Sequence, residues 1–207
     1  LNICGKPLIN YSLETAIKAN IFQDIIVTSD DDEILNVTAE FDQSIILVKR
    51  PEELSGDIIM PDFAVVHAIE HYKNLKNYVP DITTFLQPTS PLRRVEDLIG
   101  SVKRLDDEYF NSCVSVHKTH DFDWVKADDN KSFIPCYGDN RPRRQEFCKF
   151  IENGSIFVTR TSYFLKLKNR LAKPISIFEI PSICSYQVDD EHDLIILESL
   201  ISKNLML

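Results

Sequence analysis

Short apolar runs alternate along this chain with segments whose apolar residues recur at helical spacing. Ile9 to Ala19 predicts a helix, Asp24 to Thr28 a buried strand, and Asp31 to Phe41 a second helix. Ser44 to Val48 predicts another strand, and Asp62 to Tyr72 a helix with Phe63, Val66, Ala68 and Ile69 on its apolar side. Ile82 to Leu86 and Ser112 to Val116 predict strands on either side of a helix from Val95 to Leu105. Further on, Ser155 to Val158 and Ile175 to Ile180 predict strands, and Asp190 to Ile201 a last helix. Strands of four to six residues separated by helices are the mark of βαβ units, so the pattern predicts an α/β fold on a mostly parallel sheet.

From His117 to Phe150 the rhythm breaks. This stretch carries Trp124, Pro135 and Pro142 and ends near the basic run Arg141-Pro142-Arg143-Arg144. A long interruption inside a regular α/β pattern predicts a functional loop or a projecting segment that docks on a partner subunit. With no repeat and no linker, residues 1–207 read as one domain with an insertion at 117–150. The apolar runs are strand-sized, well short of the roughly 18 residues a membrane helix needs. A net charge of −9 argues against nucleic acid as a partner, since counterion release needs a basic surface. Five dispersed cysteines without a C-x-x-C pair read as reduced thiols, and with no basic-then-apolar leader in view the expected location is the cytoplasm.

Candidate chemistry concentrates in Leu86-Gln87-Pro88-Thr89-Ser90-Pro91-Leu92-Arg93. It follows a strand and precedes a helix, which places it at the carboxyl end of the sheet, where α/β folds bind ligands. Two prolines stiffen the turn while Gln87, Thr89 and Ser90 offer polar groups. A rival motif, His67-Ala68-Ile69-Glu70-His71, has the H-x-x-E-H spacing of inverted zinc peptidases on a helix face. A satisfied helix histidine explains it without a metal.

The first motif resembles the L-Q-P-T-S-P-L-R signature of the acylneuraminate cytidylyltransferases, the family of CMP-sialic acid synthetase. Gly5-Lys6-Pro7-Leu8-Ile9, Val27 to Ile34, and Arg50-Pro51-Glu52-Glu53-Leu54 followed by Asp57 resemble other segments of that family in the same order. So do Phe150 to Phe157, containing Glu152-Asn153-Gly154, and Val188 to Leu194. The resemblance implies a Rossmann-like sheet of the nucleotidyltransferase type with a projecting dimerisation segment. It implies transfer of CMP from CTP to the anomeric hydroxyl of a nine-carbon acidic sugar, with Mg²⁺ as cofactor and a homodimer as the working form. By the same resemblance Arg50 faces the cytosine, and Ser29, Asp30 and Ser90 line the nucleotide crevice, although Asp30 could instead cap the following helix. Gln87 and Asn153 contact the sugar, and Arg143 reaches the neighbouring subunit's sugar site. Asp189 holds the metal, and Gln87 and Asp189 form the catalytic pair. Relatives carry a second aspartate where this chain has Gln187, which leaves Gln187 as a neutral metal or sugar contact.

The family's opening strand and the loop after it, whose amides and basic side chains hold the triphosphate, have no counterpart in the sequence, whose five glycines stand at positions 5, 56, 100, 138 and 154. A parallel sheet lacking that strand is expected to contain a gap. Two alternatives follow: a noncatalytic, truncated relative that only dimerises or regulates, and a zinc hydrolase using His67 and His71.

Overall fold

The computed structural model describes residues 1–56 and 58–203; Asp57 lies outside them. A small hairpin of β1 (Asn2–Ile3) and β2 (Lys6–Pro7) leads into α1 (Leu8–Ala19), β3 (Ile26–Ser29), α2 (Asp32–Phe41) and β4 (Ile46–Lys49). Then come α3 (Pro61–Lys76), β5 (Ile82–Leu86), α4 (Val95–Lys103) and β6 (Ser112–Thr119). The short strands β7 (Trp124–Lys126) and β8 (Phe133–Pro135) precede β9 (Lys149–Arg160), α5 (Thr161–Leu167), β10 (Ile175–Glu179) and α6 (Glu191–Ser202). Helices end where their sequence lets them. Asn20 and Asn77 close α1 and α3 in the left-handed conformation, which asparagine tolerates better than most side chains.

The strands form a mixed α/β arrangement. β10, β6, β9 and β5 lie side by side in that order, while β3 and β4 pair separately and in parallel. Within the four-stranded sheet β10 and β6 are parallel, and β9 runs antiparallel to both of its neighbours. Thus β5, β6 and β10 share a direction, and β9 alone opposes them. Helix α4 covers one face, where Leu98, Cys113, Ile156 and Val158 form a dry cluster. Val114, Val116 and Phe157 occupy the other.

A cavity of about 470 Å³ separates the two sheets. Ile25 and the β3 residues Ile26 to Thr28 line one wall and Ile82 to Leu86 of β5 the opposite one, with α1 and α3 closing the sides. The hydroxyls of Thr28 and Thr84 are buried there without a hydrogen-bond partner among the described residues. Such orphans carry a desolvation cost that a native interior normally avoids.

The interruption is an arm. β6 and β9 continue their ladder outward through His117↔Ile151, Lys118↔Phe150 and Thr119↔Lys149, so the strands are longer at this end than the sequence pattern indicates. Beyond them the β7–β8 hairpin projects. Phe122, Tyr137 and Phe147 pack ring against ring, with centroids 5.1 to 6.4 Å apart. Trp124 and Phe133 remain 57% and 61% exposed.

Candidate active site

Two groups of polar side chains stand at the carboxyl ends of strands. The first follows β3 and β4. Arg50 donates its backbone N–H to the Ser29 carbonyl at 2.8 Å, and its Nε to Ser55 Oγ at 3.0 Å. Its Nη2 is ion-paired with Asp30 Oδ1. The hydrogen bond from Arg50 holds the Asp30 carboxyl below the usual carboxylate range. Asp30 therefore serves Arg50 and not helix α2, whose N-cap is Asp31, accepting from the Glu33 N–H at 2.7 Å. Ser29 is buried and its Oγ accepts from the Asp31 N–H. The group thus presents one guanidinium, oriented from two sides.

The second group gathers around Gly154. Asn153 is 2% exposed. Its Oδ1 accepts from Ser115 Oγ at 2.6 Å and from the Ser155 N–H at 3.2 Å, while its Nδ2 is left without a partner. Gln187 Nε2 donates to the Asn153 carbonyl at 2.8 Å. Gly154 has a φ of +65°, and a Cβ there would lie 2.8 Å from Gln87 Oε1 and 2.9 Å from the Gln187 amide. The conformation favours glycine, and a Cβ there would also push both glutamine side-chain ends aside. Gln87 and Gln187, from distant parts of the sequence, thus close on Gly154, next to the buried Asn153. The loop after β5 is tied to the C-terminal segment as well, since the Val188 N–H donates to the Thr89 carbonyl at 2.9 Å. Ser90 is buried beneath the loop with its hydroxyl unpartnered.

The remaining expected residues lie apart. Asp189 is exposed. Its backbone N–H donates to Asp193 Oδ2 at 2.9 Å, in the capping box that opens α6. No group of three or more His, Cys, Asp or Glu suited to a metal occurs among the described residues. A resident metal cage does not fit this site. Asp189 offers one exposed carboxylate, the kind of donor that holds Mg²⁺ together with substrate oxygens. His67 is half-buried, His71 is exposed, and no third His, Cys, Asp or Glu joins them among the described residues. Arg143 stands exposed on the arm, and its side chain makes no hydrogen bond or ion pair among the described residues. Its neighbour Arg144 is paired with Asp121 at 2.7 Å.

Ser115, which orients Asn153, gave no signal as an isolated serine in a strand. Gly154 was visible in the Glu-Asn-Gly triplet, but its role became legible only once both glutamines were seen against it.

A cytidylyltransferase family model matches residues 1–167. The N-acylneuraminate cytidylyltransferase of Escherichia coli is 25% identical over 197 residues, which is 93% of this chain and 45% of that protein. The pseudaminic acid cytidylyltransferase of Campylobacter jejuni is 25% identical over 198 residues, 94% of this chain and 84% of that protein. The chain thus spans under half of the first relative and most of the second. Among solved structures, 4-diphosphocytidyl-2C-methyl-D-erythritol synthase from Anaerococcus prevotii superposes with a TM-score of 0.70 at 12% identity, covering 97% of this chain and 88% of that one. That likeness establishes the fold. With four-fifths of its length inside the family match, the chain belongs to the cytidylyltransferase family.

Proposed function

We propose that this protein transfers CMP from CTP to the anomeric hydroxyl of an acidic nine-carbon sugar and releases pyrophosphate. The observation that carries the reading is the convergence of Gln87, Asn153 and Gln187 around Gly154. Three neutral amides offer donors and acceptors to a polyhydroxylated acid without adding negative charge. The relatives' substrates, an acylneuraminate and pseudaminic acid, have that chemistry.

In the proposed reaction the sugar oxygen attacks the α-phosphorus of CTP in line. The new O–P bond forms as the bridge to the β-phosphate breaks, pyrophosphate takes the bonding pair, and the hydroxyl proton is lost to solvent. Positioning supplies most of the rate in such transfers. Arg50 would turn its guanidinium to the cytosine carbonyl, with Asp30 holding the planar fork in register. Ser29 and Ser90 would line the crevice between. Gln87 and Asn153 would hold the acceptor, and Asp189 would hold Mg²⁺, which neutralises phosphate charge and sharpens the nucleophile when bound.

The triphosphate has no glycine-rich cradle among the described residues. The cavity between β3 and β5 has the walls of a missing strand position: two strand edges facing each other, closed by helices. We propose that an extended segment from outside residues 1–207 lies there and leads into the loop that holds the triphosphate. The arm, with Trp124 and Phe133 exposed at its tip, is proposed to join two copies and to bring Arg143 to the partner's acceptor site.

CTP-dependent pyrophosphate release, measured on a chain extended upstream and on residues 1–207 alone, tests both readings. Turnover with N-acylneuraminate or pseudaminic acid in the extended chain only is the expected result. Turnover by residues 1–207 would overturn the missing-segment reading. No turnover by either with any acidic sugar would overturn the activity.

A further inference from the structure

The Arg93 guanidinium is the most deeply committed charge near the candidate site, and nothing in the reaction above uses it. The residue is 4% exposed. Its Nε and Nη2 both donate to the Ser155 carbonyl, at 3.1 and 2.7 Å. Nη2 also donates to the Gln87 carbonyl at 2.9 Å, and Nη1 to Ser12 Oγ on α1 at 3.0 Å. Its own carbonyl accepts from Thr15 Oγ1 at 3.3 Å.

Among the described residues no carboxylate pairs with this guanidinium. The contrast with the next residue is sharp, since Arg94 is bound by Asp97 and Glu96. A buried cation facing only carbonyls and a hydroxyl is an expensive arrangement. Burial pushes the Arg93 group down to about 9, which still leaves it charged at neutral pH. A fold that needed only a spacer here could use an apolar side chain at lower cost.

The partners show what the arrangement secures. Gln87 lies on the loop after β5. Ser155 is adjacent to Gly154 and two residues from Asn153. One planar fork therefore bridges the two backbone segments that carry Gln87 and Asn153, and anchors both to α1.

We propose that Arg93 is a positioning residue for the acceptor sugar: it sets the spacing of Gln87 and Asn153 through their backbones, and its charge, paired with no carboxylate among the described residues, favours an acid bound beside them. The inference rests on the activity proposed above. It predicts a division of labour, because the nucleotide group around Arg50 has no bond to Arg93. Lysine keeps the charge but has no planar fork to span two carbonyls.

The experiment compares wild type with Arg93→Lys, Arg93→Gly and Ser12→Ala in the catalytically competent chain, measuring the KM for sugar and for CTP separately. Misplacement by about an ångström costs up to roughly a hundredfold. Arg93→Lys is therefore expected to raise the sugar KM about tenfold or more with the CTP KM within about twofold. Added guanidinium ion should restore part of the lost activity in Arg93→Gly. Ser12→Ala, which removes one of the four hydrogen bonds and leaves the charge, should give a smaller rise of the same selectivity. Equal rises in both KM values, or an unchanged sugar KM in Arg93→Lys and Ser12→Ala, would overturn the proposal. Should the chain turn over no sugar, the side-chain amide NMR signals of Gln87 and Asn153 give an independent reading. They must shift in Arg93→Lys and Ser12→Ala while amides around Arg50 stay in place; unmoved signals reject the positioning role whatever the reaction.

Discussion

Gln187 gives the site a neutral side chain where a carboxylate would change its chemistry. Its amide donates to the Asn153 carbonyl, a contact an aspartate could not make, and it adds no charge beside the proposed acceptor. Gln187→Asp would place a carboxylate there, facing a carbonyl oxygen and an exposed Asp189 two residues on. We expect this variant to need less Mg²⁺ for half-maximal rate, since a second carboxylate offers the cation a hard ligand, while Asp189→Ala loses activity at any Mg²⁺ concentration. A Mg²⁺ titration of the rate checks both, and an unchanged midpoint in Gln187→Asp would show that position 187 lies outside the metal's reach. Arg50 and Asp30 follow a different logic. With its pKa depressed, Asp30 contributes its pairing fully above the ordinary carboxylate range near 4, and loses it as pH falls below that range.

Among the elements, α3 is tied down at its C-terminal end by one carboxylate. Tyr72 donates to Asp24 Oδ2 at 2.7 Å, and Lys76 reaches Asp24 Oδ1 at 3.1 Å, which ties the last turns of α3 to the loop before β3. The bond to Asp24 pushes the Tyr72 hydroxyl up to about 12. A raised value means that this stabilisation is complete below the ordinary tyrosine value near 10 and is lost as pH rises through about 12. Tyr72→Phe should lower the melting temperature at neutral pH and remove that part of the alkaline destabilisation. Thermal melts from pH 7 to 12 check it: two curves that stay parallel would contradict the assignment. A second contact is steric. The α4 residue Gly100 sits where a Cβ would come within 2.3 Å of the Phe178 ring on β10. Gly100→Ala should therefore destabilise by about 1–3 kcal/mol through overpacking, despite alanine's better helix propensity. A urea melt showing no loss would mean that Phe178 moves freely.

For the whole molecule, the arm sets the question of assembly. Trp124, Val125, Phe133 and Ile134 are all exposed on one hairpin, and apolar patches of this kind mark association surfaces. Light scattering at micromolar concentration should report a dimer, and Trp124→Asp with Phe133→Asp should return it to a monomer without loss of secondary structure. If Arg143 serves the partner's site, mixing inactive Arg143→Ala with inactive Gln87→Ala should restore part of the activity. A wild-type monomer would remove both expectations together.

Much of this architecture was legible in the order of residues. Ile82 to Leu86 forms the strand its apolar run predicts, and the predicted helices occur at nearly the predicted bounds. Helical and strand periods, prolines and caps act over a few residues, so the sequence states them directly. The same holds for the loop from Gln87 to Arg93, whose place between a strand and a helix is a local fact. What the sequence could not state depends on partners far along the chain. β9 reads as an ordinary strand, yet it inserts antiparallel between β5 and β6 because it is the returning limb of the arm. Asn153 and Gln187 meet across 34 positions, and Arg93 meets Ser155 across 62. Asp30 rather than Asp31 turns to Arg50 because β3 and β4 pair in the register that aligns Ser29 with Lys49. Local propensity determined the pieces of this protein, while strand register and buried hydrogen bonding, which exist only once distant segments pack, decided which polar groups share a site.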